Sequence, residues 1–319
     1  MTMRVRSITR QTSQVLSIVL ESLHHENLPA ISPGDHIDVH MGVGLTRSYS
    51  LVGNAGSSSR YEIAVALDIN SRGGSLYIHQ RLRVGDVLKI SGPRNLFQLQ
   101  SDANHSVLIA GGIGITPIWS MVQELDRLRR PWRLYFAARS RSQAAYLEEI
   151  QKLASQSLCG QLITHFDDEA DGKPLNIAAV LASTPQDAHL YCCGPAAMLN
   201  AYEMATADYP KDQVHLERFG VAPATDNGTH SNEFELVLAR SRQKFKVPAD
   251  KSILDVLLDH GIDAQYGCMQ GVCGMCQVAV IDGTPDHRDQ ILSPETKLTN
   301  SCLMVCCSRS RSQSLTIDL

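Results

Sequence analysis

No stretch of this chain approaches the roughly 18 consecutive apolar residues of a membrane-spanning helix, and the opening Met1-Thr-Met-Arg-Val-Arg6 is followed by no apolar core of a secretory leader. The expectation is a cytoplasmic protein that makes no use of a membrane. A basic excess is also missing. The 29 Lys and Arg against 33 Asp and Glu leave a net charge of −4, which lacks the electrostatic footprint of a nucleic-acid binder. There is no internal repeat and no low-complexity tract. No Ser-His-Asp or paired-carboxylate constellation stands out around the 12 histidines. What remains is an ordinary globular composition, 43% hydrophobic over 319 residues, enough for two or three domains with their own cores. Nine cysteines in a protein expected to be intracellular do not suggest a disulfide framework, so metal ligation of four of them is the better account. Cys159, Cys192 and Cys193 read as reduced thiols in or near a core.

The metal reading comes from Tyr266-Gly-Cys-Met-Gln-Gly-Val-Cys-Gly-Met-Cys276. Its spacing, Cys268-x4-Cys273-x2-Cys276 with a further cysteine about thirty residues on, is the ligand pattern of a plant-type [2Fe-2S] cluster. Thiolates so close in the chain face one pair of irons only if the backbone wraps tightly, and Gly267, Gly271 and Gly274 supply turns and amides for that. Zinc motifs usually set cysteines in two close pairs and fit this spacing poorly. The fourth ligand comes from Cys302, Cys306 and Cys307. If 303–307 is a strand, Cys306 and Cys307 point to opposite faces and only one reaches the cluster. Cys306 is the choice, although Cys302 shares its parity and is not excluded by it. Met269, Gln270, Val272 and Met275 lie among the ligands, and either shield the cluster or form a soft docking surface.

Three textures follow one another along the chain. Residues 1–101 hold short β-rich runs (14–20, 36–40, 46–52, 61–67 and 86–90) between turns such as Ser32-Pro-Gly-Asp35, the pattern of an antiparallel barrel. Residues 102–222 alternate strands (106–110, 132–137, 161–165, 188–192, 213–216) with helices (118–128, 144–153, 196–205), a parallel α/β sheet. A Pro, Thr, Asp, Gly and Ser-rich stretch gives a linker drawn at 223–232. Residues 233–319 hold strands (233–239, 243–247, 277–281, 315–318), a helix over 253–260 and the cysteine loop, a small α+β domain.

In Ala110-Gly-Gly-Ile-Gly-Ile-Thr-Pro-Ile118 the glycines sit between a buried strand and a helix, where backbone can approach a pyrophosphate and a helix N-terminus can face its charge. Cys192-Cys-Gly-Pro-Ala-Ala-Met198 answers it at the end of a later strand, on the same carboxyl rim of the sheet. In the barrel, alternation through Arg47-Ser-Tyr-Ser50 puts Arg47 and Tyr49 on one face, suited to a phosphate and a flat ring. Ser71-Arg-Gly-Gly-Ser75 could add donors to the same phosphate.

Taken together, Arg47-x-Tyr49-Ser50, Gly73-Gly74-Ser75, the 111–117 glycine turn, Cys193-Gly-Pro195, Glu217-Arg-Phe219 and the cysteine set ending Met304-Val-Cys-Cys-Ser-Arg309 resemble the phthalate dioxygenase reductase family, most of all its vanillate O-demethylase reductases, within the ferredoxin-NADP reductase superfamily. The resemblance covers essentially the whole chain. It implies a flavin-binding barrel, a nicotinamide-nucleotide domain and a C-terminal ferredoxin domain of β-grasp type, with FMN, a [2Fe-2S] cluster and NADH as cofactors and a Rieske-type oxygenase as electron acceptor. By the same likeness Arg47, Tyr49 and Ser50 contact the flavin, with Gly74 and Ser75 near its phosphate. Gly112, Gly114, Thr116, Cys193, Gly194 and Pro195 line the nucleotide site. Phe219 is either the aromatic near the isoalloxazine or a core residue beside the linker. Glu217 and Cys193 could tune the flavin or position the nicotinamide. Arg139 and Arg141 stand where an NAD site usually has an acidic residue, so a 2′-phosphate is not excluded. The logic of such a chain is that NAD(P)H gives two electrons at once and a [2Fe-2S] cluster takes one, so a flavin must stand between them. The competing expectation is a self-sufficient NAD(P)H oxidase or flavin reductase, which would not need the cysteines.

Overall fold

The computed structural model describes residues 1–24, 27–42, 45–53, 59–69, 73–219, 232–266, 271–272 and 274–319. The chain divides into two compact units, Met1–Phe219 and Gly220–Leu319. No helix among the described residues is long and apolar enough to cross a membrane.

The first unit opens with strands β1 (Thr2–Arg10), β2 (Val15–Ser22), β3 (Asp35–His40), β4 (Thr46–Ser50) and β5 (Arg60–Ala66), the short helix α1 (Gly74–Gln80), then β6 (Val87–Ile90) and β7 (Arg94–Asn95). The strands pair antiparallel in the order β4-β3-β6-β1-β2-β5, with β7 added to β3. A bridge from Leu51 to Ile63 and the bond from Val52 N to Glu62 O (2.8 Å) join the two ends, closing the barrel. Alternation drives this packing. Met3 and Val5 of β1, Ile37 and Val39 of β3 and Leu51 meet inside the barrel. Elements of the barrel beyond the sequence reading are β1, which begins at Thr2, the two-residue β7, and α1, which starts at Gly74 where only a loop was expected. A seven-residue helix opened by two glycines carries too little periodicity to be read in advance.

The chain then builds β8 (Ser106–Gly111), α2 (Ile115–Arg127), β9 (Trp132–Ala138), α3 (Leu147–Gln156), β10 (Gly160–Phe166), α4 (Ile177–Ala182), β11 (His189–Cys193), α5 (Ala196–Ala205) and β12 (Val214–Glu217). The sheet is parallel, ordered β10-β9-β8-β11-β12. Its central strand β8 is buried along its whole length, as expected of a strand covered on both faces. The order reverses between β8 and β11, the crevice where open α/β sheets bind ligands. Barrel residues Val15, Val52, Ala64 and Phe97 share one apolar core with Leu108, Ile118, Trp119 and Tyr191 of the sheet domain. Hydrogen bonds cross the same seam: Gly34 N donates to Ser120 Oγ (3.3 Å), and Tyr146 Oη to Glu62 Oε1 (2.8 Å).

The second unit holds β13 (Phe234–Leu238), β14 (Lys244–Val247), α6 (Ile253–Asp259), β15 (Gln277–Asp282), β16 (Pro285–Asp286), α7 (Pro294–Thr299), β17 (Cys302–Met304), β18 (Arg309–Ser310) and β19 (Ser314–Ile317). A mixed sheet, β14-β13-β19-β15-β17, with β13 and β19 parallel, packs against α6 in a β-grasp arrangement. Helix α6 starts with a complete capping box between Ser252 and Asp255.

Candidate functional site

On the barrel, β4 lies against the start of α1. A Cβ on Gly74 would stand 2.6 Å from Arg47 Cγ and 3.3 Å from Tyr49 Oη, so Arg47 and Tyr49 do share a face, and glycine alone lets the helix approach it. Gly73, at φ 96°, makes the turn into that helix. Ser75 Oγ accepts from Asp68 N (3.1 Å), which leaves its own O–H to donate. Burial pushes the Tyr49 phenol well above its ordinary range, so it is a neutral ring with a polar tip.

At the carboxyl rim of the parallel sheet the two glycine turns meet. A Cβ on Gly114 would fall 2.2 Å from the Cys193 carbonyl oxygen, and one on Gly111 2.6 Å from Pro195 Cδ. Gly194 is packed as closely, 2.7 Å from Met198 Sδ. Gly112, at φ 53°, has nothing within 4 Å of where its Cβ would be, so its backbone faces open space. Thr116 donates from Oγ1 to Ile113 O (3.0 Å) and braces the turn. Backbone amides at a helix start, unobstructed by side chains, suit a pyrophosphate. Beyond the end of β9, Arg141 lies 4.7 Å over the Phe166 ring and pairs with Glu169 (3.5 Å).

The seam between barrel and sheet carries the most unusual chemistry. Glu217, in register with Cys193 on the neighbouring strand, has an Oε2 sealed from solvent and without a partner, although the residue as a whole is only half-buried. Burial pushes its carboxyl up to about 8; the Ser50 hydroxyl, which comes close without meeting hydrogen-bond geometry, offsets that only in part. Burial also holds the Cys193 thiol well above its ordinary range. The Ser50 hydroxyl is itself unpaired, as are Nδ1 of His36, opposite Ser50 on β3, and Nε of Arg94, opposite His36 on β7. Several sealed polar atoms without partners in one neighbourhood are what a protein shows where a polar ligand belongs. His36 and Arg94 were missed in the sequence, since only the pairing of β3 with both β4 and β7 brings them beside Ser50. Phe219 is 39% exposed at the end of this unit and is not a core residue.

In the second unit Cys268 and Cys273, with Met269 and Gln270, lie outside the described residues. Cys276 and Cys306 are both buried in the apolar core of this unit, 2% and 8% exposed. The Cys306 thiol is driven far up because it donates to Cys276 and then to Cys307, while Cys307, accepting from Cys306, is lowered. Thiols packed this closely cannot all ionise unless a cation shares their charge, so the donor set fits an iron centre. The parity argument does not hold. β17 ends at Met304, whose carbonyl accepts from both Cys307 N (3.2 Å) and Ser308 N (2.9 Å), so residues 305–307 form a turn instead of a strand. Cys302 remains in the strand, opposite Ala279.

Residues 236–311 match the family model of the 2Fe-2S iron-sulfur cluster binding domain, and residues 108–204 that of the oxidoreductase NAD-binding domain. The fold and these sites define an NAD(P)H-dependent oxidoreductase that carries its own ferredoxin domain. The chain is 47% identical, over 99% of its length and 97% of the relative's, to tetrachlorobenzoquinone reductase of Sphingobium chlorophenolicum. It is 41% identical to phenoxybenzoate dioxygenase subunit beta of Ectopseudomonas oleovorans, over 99% and 97% of the two chains. A solved phthalate dioxygenase reductase, described as a modular structure for electron transfer from pyridine nucleotides to [2Fe-2S], superposes with a TM-score of 0.84 at 33% identity, covering 100% of this chain and 98% of the other. The chain belongs to the phthalate dioxygenase reductase family.

Proposed function

We propose that this protein draws electron pairs from NADH and delivers them singly, by way of FMN and a [2Fe-2S] cluster, to a Rieske-type oxygenase in the cytoplasm. The observation that carries the reading is the seam of unpaired polar atoms at Ser50 and Glu217, beside the paired glycine turns and in the same chain as a cluster-binding domain. Relatives named phenoxybenzoate dioxygenase subunit beta, vanillate O-demethylase oxidoreductase and carnitine monooxygenase reductase subunit support an oxygenase as acceptor. The division of labour follows 1–101 for flavin, 102–222 for nucleotide, 223–232 as linker and 233–319 for the cluster.

FMN accepts a hydride and the cluster a single electron, and that chemistry belongs to the bound groups. The residues hold and orient. Arg47, with Gly74 and Ser75, receives the flavin phosphate, and Tyr49 lies against the ring. Gly112, Gly114, Thr116, Gly194 and Pro195 line the nucleotide. Ser50, Cys193 and Glu217 meet the nicotinamide and the polar edge of the flavin, with Glu217 keeping a proton on its carboxyl near neutral pH. Phe219, exposed just beyond β12, would lie near the isoalloxazine. Cys268, Cys273, Cys276 and Cys306 hold the cluster. NADH is the proposed donor; the contacts of Arg141 with Glu169 and Phe166 support it over NADPH, and substitution of Arg139 and Arg141 together tests the choice.

A visible spectrum of the purified protein before and after anaerobic NADH, with the extracted flavin identified, tests this. Yellow-brown protein that releases FMN and bleaches with NADH is expected; colourless protein after reconstitution overturns it. A second reading, direct reduction of a benzoquinone, is supported by the 47% identical quinone reductase. In a Cys276→Ser protein, quinone reduction would survive if the flavin serves it, while cytochrome c reduction would be lost.

A further inference from the structure

Beyond the cysteines, the second unit buries a charged group that the electron-transfer reading does not use. Asp289 is 4% exposed. Its Oδ2 accepts from Leu292 N (2.9 Å) and lies 3.5 Å from Lys297 Nζ, which also donates to the Asp289 carbonyl (2.6 Å). Its Oδ1 has no partner, and neither nitrogen of His287, 3.6 Å away, has one. The neighbouring charges Arg288 and Arg311 are gathered on Asp286.

The position of this group is what matters. Gln290 N donates to Gly271 O (2.9 Å), tying the segment to the loop that carries Cys268 and Cys273. A Cβ on Gly271 would stand 2.4 Å from Cys307 Sγ and 3.0 Å from Asp289 Cα, so loop, carboxylate segment and cysteine turn are in contact. Arg288 N donates to Ser308 Oγ (3.2 Å), fixing the same segment to the turn after Cys306. A sealed carboxylate with an unpaired oxygen is costly, and the bonds to Leu292 N and Lys297 use only Oδ2.

We propose that Asp289 and Lys297 are positioning residues whose opposite charges, held against the cysteine loop, set the reduction potential of the cluster. The inference rests on the reading of Cys268, Cys273, Cys276 and Cys306 as ligands. Reduction adds one electron, and so one negative charge, beside this pair with no change in either side chain. The Asp289 carboxylate, sealed from solvent, opposes that charge, and the Lys297 ammonium, on a side chain 29% exposed, favours it.

The test is dye-mediated redox titration of the whole, cluster-loaded protein, read by the cluster's own absorbance and electron paramagnetic resonance. Asp289→Asn keeps the shape and the acceptor for Leu292 N but loses the charge. It is expected to raise the ratio of reduced to oxidised cluster about tenfold at fixed dye poise, a shift of about 59 mV for one electron. Lys297→Met should move the ratio several-fold the other way, and Lys297→Arg should leave it in place. Loosened packing would move both variants in the same direction, so equal or same-signed shifts overturn the inference. Should Asp289→Asn fail to load its cluster, the Met and Arg variants of Lys297 decide alone, and identical potentials for the two overturn it. A wild-type protein without cluster signal refutes the ligand reading, and this inference with it, and is recognised by failing before any variant is made.

Discussion

The unit Met1–Phe219 and the unit Gly220–Leu319 prepare for their partners in different ways. In the first, the candidate contacts come mostly from backbone at glycines, from Arg47 and from neutral polar groups lying beside apolar cores to which only Cys193 and Tyr49 contribute. In the second, Cys276 and Cys306 are part of the core itself, packed with Leu303, Met304 and Val305. A site built beside a finished core can stand empty at the expense of a few unpaired atoms. A site built into the core ties folding to the metal, because the thiols must lose protons and gain a cation before their burial is favourable.

The sharpest break of that contrast is removal of the metal. Cys276→Ser or Cys306→Ser, or chelation of the iron, should abolish cluster absorbance and lower one-electron acceptor reduction by about a thousandfold or more, as expected when the sole electron exit is lost. Bleaching of the bound flavin by NADH should stay within about twofold, and only the transition of the second unit should move in calorimetry. A Cys306→Ser protein that keeps full absorbance would transfer the fourth ligand to Cys302 or Cys307.

Glu217→Gln sharpens the other side. The folded carboxyl sits at about 8, above the unfolded 4.5, so its contribution to stability is complete below pH 4.5 and is lost as pH rises through 8. Denaturant unfolding of the flavin-stripped protein should therefore show a fall of up to roughly 5 kcal/mol between pH 4.5 and 9 in wild type that is absent in Glu217→Gln. Equal pH profiles would mean that the acid is solvated.

Next in size is Gly114→Ala, whose new methyl meets the Cys193 carbonyl oxygen at 2.2 Å. The two turns must part, and kcat/KM for NADH should fall by about a hundredfold, near 3 kcal/mol, with cluster absorbance unchanged. The smallest expected change is Arg47→Ala, with flavin affinity down by about thirtyfold, near 2 kcal/mol, measured by fluorescence of released flavin.

Legibility in the sequence tracked how local each feature is. The cysteine spacing and both glycine turns could be read because each lies within about ten residues and each follows from one local geometry. Arg47 and Tyr49 could be put on one face by simple alternation. The unpaired state of Ser50 and His36 could not, because it depends on three strands meeting. Nor could the turn at 305–307, where Met304 O takes two amides and ends the strand early. Nor could the pairing of Arg141 with Glu169, which comes from the end of another strand.

By itself the sequence determined which chemistry this protein can hold, since ligand type, spacing and turn residues are properties of adjacent positions. Only the tertiary structure decided which polar atoms are left without partners, at Glu217 between two sheets and at Asp289 beside the cysteine turn. A side chain's hydration and hydrogen bonds are set by whatever segments fold against it, and those come from elsewhere in the chain.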